Sequence, residues 1–308
     1  MLYPVQLLIF SNLSLTLPSM ESNITIVSSL DLPELQPYRT LRRPLEHIQQ
    51  GIFVAEGSKV VERLLASPLE IVSILMTHEW HSYLSSIQNL KSKFQHIEHI
   101  FIAEKQILES IVGYNLHQGI MAVARVPSHP TLAEMLGTLR EPRLLVALDG
   151  LVNSENIGVI VRNCAAFGVD GIIVGETSSS PYLRRAVRNS MGTVFSMPVV
   201  HVSNLAESLN ELRNKHQTEV VAAHPHDEAT IHSSNFNNNC CIVFGHEGLG
   251  VSQQILNVCT RRVAIPMENN TDSLNVASAS AVFLYEARKQ RAMNKEFHDS
   301  GLRSQASN

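Results

Sequence analysis

From Pro142 onward the chain repeats one pattern: a short apolar run, a turn rich in polar residues, then a stretch in which apolar side chains recur every three or four positions. The runs fall at 144–149, 171–175, 194–200, 219–223, 240–245 and 262–267. Each is too short for a helix and is bounded by turn residues, so each reads as a buried strand. Between most of them, Ile157, Ile160, Val161, Cys164 and Phe167, then Leu183, Val187 and Met191, then Leu205, Leu209 and Leu212, then Ile255, Leu256 and Cys259 keep helical spacing. Strands alternating with helices predict a parallel sheet with helices on both faces, because parallel neighbours need a crossover long enough to hold one. Ligands in such sheets gather beyond the carboxyl ends of the strands. Three polar loops stand there, at 149–158, 245–250 and 268–275, and they are the candidate site.

The N-terminal half is less regular. Residues 1–38 carry few charges and many Ser, Leu and Pro with no sustained period, which predicts a poorly ordered extension with Met20 as an alternative start. A small α/β domain is expected over 39–126: an apolar run at 51–55, a helical pattern through Val60, Val61, Leu64 and Leu65, and further strands at 70–76, 97–102 and 119–126. Residues 127–142, with prolines at both ends and a short helical pattern between them, read as a linker. The second domain is then 143–293, followed by a tail at 294–308.

Composition removes several classes. With 44% hydrophobic and 17% charged residues the 308-residue chain is too apolar for disorder. Its apolar stretches are all shorter than the roughly 20 residues that cross a bilayer, so no membrane partner is expected. The apolar stretch Leu2–Phe10 has no basic residue before it, the first being Arg39, so it does not read as an export signal. Four cysteines without a CxxC pair read as reduced core thiols, which predicts a cytoplasmic protein. His224, His226 and His246 lack a second matching pair, so no metal site is expected. A net charge of −4 argues against coating nucleic acid by bulk electrostatics. It leaves room for local patches such as Arg184, Arg185 and Arg188, for which a solvated helix face is an equally good account.

Each candidate loop has an ordinary explanation when taken alone. In Asp149–Arg162 the residues Asn156 and Arg162 lie six apart at a strand-to-helix junction; an Asn there is ordinarily a helix cap and an Arg a surface group. Gly245-His-Glu247-Gly-Leu-Gly250 sets a carboxylate among glycines that let backbone approach a ligand, but its spacing is not the GxGxxG of dinucleotide folds. In Ile265-Pro-Met267 followed by Ser273-Leu274-Asn275, Ser273 or Asn275 caps a long helix of small residues on the plain reading.

Together, in this order and spacing, the three loops resemble the motifs of the SpoU/TrmH-type RNA ribose 2′-O-methyltransferases of the SPOUT class. Asn156 to Arg162 matches the first motif, Gly245 to Gly250 the second, and Ile265–Met267 with Ser273–Asn275 the third. The segment Ser190–Phe195 is typical as well. Phe53-Val-Ala-Glu-Gly57 and His117–Val123 resemble the small RNA-binding domain that precedes the catalytic one in many relatives. The resemblance covers roughly residues 39–291. Asn153-Ser-Glu155 departs from it, standing where relatives commonly carry an Asp-Pro-Gly or Asn-Pro-Gly type turn.

The resemblance implies an α/β fold whose C-terminal parallel sheet is tied in a trefoil knot, although threaded chains are otherwise almost never seen. It implies a homodimer with its active site near the interface. It also implies S-adenosylmethionine as cofactor, held by Gly245, Ile265 and Leu274 with Met267 beside them, and structured RNA as substrate, ribosomal slightly favoured over transfer RNA. Arg162 is then the principal catalytic residue, with Asn156, Glu247, Ser273 and Asn275 as the remaining polar positions. A guanidinium with a pKa above about 12 is a poor base, so Arg162 is expected to anchor a phosphate and stabilise the nucleophilic oxygen, with Glu247 orienting Arg162 or a loop amide. Arg184, Arg185 and Arg188 are the expected RNA-backbone contacts. Two rivals remain: a catalytically silent RNA-binding protein of the same fold, and a doubly wound enzyme using another nucleotide.

Overall fold

A computed structural model describes residues 23–87, 93–94, 96–112, 119–227, 229–269 and 271–305. Residues 1–22 of the expected extension, His117 and Gln118 of the RNA-binding-domain resemblance, and Asn270 of the third loop lie outside the described residues.

The C-terminal half forms the predicted parallel sheet. Strands β6 (Leu144–Asp149), β7 (Gly171–Val174), β8 (Val199–His201), β9 (Glu219–Ala223), β10 (Cys240–Gly245) and β11 (Arg261–Val263) stand in the order β11-β9-β10-β6-β7-β8, every neighbour parallel. Alternate residues of the central strands feed two cores. Leu144, Val146 and Leu148 with Cys240, Ile242 and Phe244 face one; Leu145, Ala147, Cys241 and Val243 face the other. Both faces being covered is why these strands are unbroken apolar runs rather than alternating ones. The helices of this half are α6 (Leu132–Thr138), α7 (Ser154–Phe167), α8 (Arg184–Asn189), α9 (Leu205–His216), α10 (Gln253–Leu256) and α11 (Val276–Gln305).

Two runs are shorter as strands than their apolar length predicts. In 194–200 the chain first makes a 3-10 turn over Thr193–Ser196, entered through Gly192 at φ +78, and extends only at Val199. In 262–267 the chain leaves the sheet after Val263, ahead of Pro266, which has no N–H for a ladder.

A second sheet precedes this one. Strands β1 (Ile24–Val27), β2 (Ile52–Glu56), β3 (Ile71–Met76), β4 (His99–Ala103) and β5 (Ile120–Arg125) take the order β1-β4-β3-β5-β2, with β5 antiparallel to β3 and β2 and the other pairs parallel. Helices α1 (Gln36–Arg39), α2 (Pro44–Gln49), α3 (Ser58–Ala66), α4 (His78–Ser86) and α5 (Lys105–Val112) accompany it.

Three expected boundaries are corrected. Residues 24–38 are not an extension: β1 pairs with β4 from Ile24↔Ile100 to Val27↔Ala103, and Leu35 and Tyr38 are fully buried. An edge strand of four residues with Ile26 facing outward is too short and too exposed to show a period. Residues 127–142 are more than a linker, because α6 opens with a capping box between Thr131 and Glu134 and buries Leu132, Met135 and Leu136 against the second core. The segment after 293 is not a separate tail, since α11 runs on to Gln305.

The two sheets are packed together. Phe53 of β2 lies 5.4 Å from Tyr182 and 5.5 Å from Phe195, ring centre to ring centre, so one core extends through both. The cysteines are free; Cys164, Cys240 and Cys241 are buried, and burial pushes the Cys240 and Cys259 thiols up to about 12. Among the described residues no helix is long and apolar enough to cross a membrane.

Candidate active site

The first loop begins where β6 stops. Asp149, buried at the strand end, accepts the Ser252 N–H at 2.7 Å and so ties the first loop to the second. The chain turns through Gly150 at φ +67, and Asn153 caps α7 by accepting the Glu155 N–H at 2.8 Å. The departure from the family's turn is therefore an ordinary helix cap. With Asn153 in that role, the Asn156 side chain is free to reach across.

Its reach joins all three loops. The Asn156 amide Nδ2 donates to Glu247 Oε1 at 2.9 Å, while its Oδ1 accepts from Asn275 Nδ2 at 3.2 Å. Asn275 in turn accepts the Ala277 N–H at 2.9 Å, capping α11. Residues 119 and 91 positions apart thus form one polar chain, in which each amide donates at one end and accepts at the other.

The second loop is built on backbone contact. An added Cβ at Gly245 would lie 2.2 Å from the Gly250 carbonyl carbon and 2.2 Å from the Val251 nitrogen, so no side chain fits. His246 and Gly250 exchange two backbone hydrogen bonds, at 2.9 and 2.8 Å. The His246 Nδ1 accepts the N–H groups of Gly248 and Leu249 at 3.0 and 3.2 Å, which requires a lone pair on that nitrogen and places the ring proton on Nε2.

Between the second and third loops lies a cleft of about 240 Å³. Gly245, Glu247, Ile265, Met267, Ser273 and Leu274 all line it, which brings together the four expected cofactor positions and two of the polar ones. Its lining also includes Ala223, His224 and Pro225, which the sequence reading passed over. They end and follow β9, so the rule that ligands gather at strand carboxyl ends already pointed to them, but their turn lacks the glycines that marked the other loops.

Arg162 is not in this group. It is exposed on α7, with no hydrogen bond or ion pair among the described residues, and it does not line the cleft. Six residues of helix carry it roughly 9 Å along the axis from Asn156 and about 120° around it. Glu247, expected to orient Arg162 or a loop amide, accepts here from the Asn156 side-chain amide. The neighbouring Asn163, unremarked in the sequence, donates to the Ala277 carbonyl at 3.0 Å and to the buried Ser280 hydroxyl at 2.9 Å, fastening α7 to α11.

The arginine cluster is also engaged. Arg184 pairs with Glu56 of β2 at 2.6 Å, and Arg188 approaches the same carboxylate at 3.7 Å. Glu56 is 5% exposed and the Arg184 side chain 19%, so Arg184 bridges the two sheets and the expectation that it contacts an RNA backbone is corrected. Arg185 and Arg188 remain largely exposed, Arg185 beside Glu155 at 3.4 Å. Among the described residues no group of three His, Cys, Asp or Glu side chains is placed to hold a metal ion.

The parallel sheet with its cleft and the small mixed sheet before it both match RNA 2′-O-methyltransferases, a class that uses S-adenosylmethionine. Residues 143–285 match the model of the SpoU rRNA methylase family, and residues 54–130 match that of the RNA 2′-O ribose methyltransferase substrate-binding domain. An uncharacterized tRNA/rRNA methyltransferase of Mycobacterium bovis is 30% identical over 83% of this chain and 88% of its own. The 23S rRNA (guanosine-2′-O-)-methyltransferase RlmB of Haemophilus ducreyi is 31% identical over 68% of this chain and 83% of its own. The crystal structure of the SpoU methyltransferase AviRb from Streptomyces viridochromogenes, in complex with AdoMet, shares the fold with a TM-score of 0.70 at 24% identity, over 84% of this chain and 98% of that one. The chain belongs to the SpoU rRNA methylase family.

Proposed function

We propose that this enzyme methylates a ribose 2′-hydroxyl of structured RNA, ribosomal RNA favoured over transfer RNA. The observation that carries the reading is the polar chain Asn275–Asn156–Glu247 at the rim of the cleft that Gly245, Ile265, Met267 and Leu274 line. The residues fit the cofactor: the apolar side chains of Ile265, Met267 and Leu274 suit the adenine, and the exposed turn at Glu247, Gly248 and Leu249 brings main chain to the cleft for its ribose and amino acid. When bound there, S-adenosylmethionine supplies an activated methyl group on a sulfonium. Gly245, Ile265, Met267 and Leu274 hold and orient that group, and Ser273 presents a hydroxyl at the cleft wall.

Arg162 grips a phosphate of the RNA and sets positive charge beside the 2′-oxygen as it becomes nucleophilic; the proton passes to water or to a phosphate oxygen. Holding the oxygen in line accounts for much of the acceleration, since positioning alone lowers such barriers by up to roughly 7 to 11 kcal/mol. The exposure of Arg162 away from its own cleft supports a homodimer with the site near the interface, in which this guanidinium completes the cleft of the other protomer. Val282 and Tyr285, exposed on α11 beside α7, offer apolar area for that contact. The same reading includes the trefoil knot and the division of labour between a substrate-binding unit ending near 126 and a methyltransferase unit from 143.

Comparison of total RNA from wild-type and deletion cells by mass spectrometry tests the reading. Loss of one 2′-O-methyl nucleoside, mapped to a ribosomal RNA, is expected. Unchanged ribose methylation together with RNA binding by the purified protein would favour the silent binder instead.

A further inference from the structure

The five-stranded sheet carries a second feature at the end nearest the catalytic loops. Where β3 stops, Thr77 donates its N–H to the Gly119 carbonyl at 3.0 Å and α4 begins. Trp80 and Tyr83 lie one helical turn apart on α4, with ring centres 5.3 Å apart at 89°. The Trp80 ring leans on the turn at Gly119, where φ is +51 and an added Cβ would meet Trp80 Cδ1 at 3.3 Å. Trp80 is half-buried, and Tyr83 is 49% exposed with no hydrogen bond from its hydroxyl among the described residues. An edge-to-face pair with one ring braced against backbone and the other open to solvent is a rigid aromatic surface.

The strand register says where this surface points. Met76 pairs with Ile120 and Glu56 with Met121, so the ends of β3 and β2 and the start of β5 share one edge of the sheet. Glu56 at that edge holds Arg184 and Arg188, and Arg185 pairs with Glu155, the residue before Asn156. The edge therefore runs from the aromatic pair, past two largely exposed arginines, to the polar chain of the site. Lys105, whose side chain is 57% exposed and pairs with Glu109 at 3.5 Å, opens α5 beyond the end of β4. Aromatic faces with cations spaced along the way suit an unpaired nucleic-acid strand, because bases stack on the rings while phosphates meet the cations.

From this we infer that Trp80 and Tyr83 are a stacking platform for an unpaired base of the RNA, with Arg185 and Arg188 carrying the strand toward Asn156. The inference rests on the RNA substrate proposed above. Trp80 is the single tryptophan of the chain, which makes it its own reporter.

The test titrates the full chain with single-stranded oligouridylate and oligoadenylate of about 8 nucleotides and with a duplex of that length. Trp80 fluorescence is read in parallel with the anisotropy of a labelled strand. Saturable quenching by single strands that tracks the anisotropy, and weaker quenching by the duplex, are expected. Tyr83→Ala should weaken single-strand binding about tenfold while leaving the melting temperature and the heat of S-adenosylhomocysteine binding unchanged, and Tyr83→Phe should restore it. Binding by anisotropy without a change in Trp80 emission, or wild-type affinity in Tyr83→Ala, overturns the platform. Failure to bind any strand overturns it too, and leaves the enzyme's reading to be decided separately by ribose methylation in the deletion cells.

Discussion

In the six-stranded sheet the strands stop at backbone: β10 runs into a loop so tight at Gly245 that no side chain fits, and the cleft beyond it sets that main chain beside Ile265, Met267 and Leu274, with Glu247 and Ser273 among them. In the five-stranded sheet the corresponding edge stops at side chains, the Glu56 carboxylate, the Trp80 ring and the Tyr83 ring. The difference teaches which substitutions each region tolerates. A wall made of backbone has no conservative replacement, so changes there act on cofactor and stability together. An edge made of side chains can be altered one group at a time, and changes there act on affinity for RNA or on the packing of one sheet against the other.

The largest effect is expected outside both regions, at the exposed guanidinium meant to serve the first. Arg162→Ala should lower turnover by about 10² to 10³, the loss typical of removing one preorganised charge from a developing oxyanion. Calorimetric titration with S-adenosylmethionine should show affinity within a few-fold of wild type, since the proposed partners of Arg162 are the RNA phosphate and the 2′-oxygen, not the cofactor. Normal single-turnover methylation in this variant would end the assignment. Next comes Gly245→Ala. The new methyl group meets backbone atoms at 2.2 Å, which must move, so a stability loss of about 1 to 3 kcal/mol with loss of cofactor binding is expected from thermal melts and calorimetry. An alanine variant that melts and binds as wild type would show that the wall is more yielding than its geometry.

Smaller again is Glu56→Gln. The carboxylate is buried while its arginine partners keep solvent access, so breaking the bridge should cost about 1 to 2 kcal/mol. Because the bridge lies between the sheets and away from the cleft, the heat of cofactor binding should be unchanged. A shift in cofactor affinity equal to the stability loss would mean that the two regions are coupled more tightly than this contrast allows.

The two regions also differed in how far their residues announced them. The parallel sheet was legible because burial on both faces leaves continuous apolar runs, and Leu144–Asp149 and Cys240–Gly245 fall where the runs predicted. The motif loops were legible as a set, and Gly245, Ile265, Met267 and Leu274 line one cleft. The hydrogen bonds joining Asn275, Asn156 and Glu247 were not, since spacing along a chain says nothing of which amide faces which carboxylate. Nor was the position of Arg162 legible: the resemblance grouped it with Asn156, whereas six residues of helix set it about 120° around the axis and outside the cleft. In the other sheet β1 was hidden because four residues at an edge bury too little to make a pattern, and Arg184 resembled a phosphate ligand because its partner, Glu56, is 128 positions away.

The joint between the regions offers the finest test. His129, in the segment leading to α6, lies with its ring centre 4.4 Å from that of His201 at the end of β8 and 5.7 Å from that of Tyr182. Burial holds His201 down at about 4, with repulsion from His129 adding to it, and burial likewise lowers His129. Two rings that resist protonation in the folded chain take up protons near 6.5 once unfolded, so the unfolded state binds more protons between about 6.5 and about 4. Stability from this pair is therefore fully present above about 6.5, falls as pH drops through that window, and loses nothing more to His201 below about 4. Part of the His201 ring faces solvent, which holds the effect to roughly 1 kcal/mol or less. Melting temperatures of wild type and His201→Gln, compared from about pH 7 to about pH 5, isolate the pair, because every other histidine and carboxylate contributes equally to both. The difference between the two curves should shrink steadily as the pH falls. Parallel curves would mean that the two rings take up protons alike in the folded and the unfolded chain, so that this contact adds nothing pH-dependent to the joint.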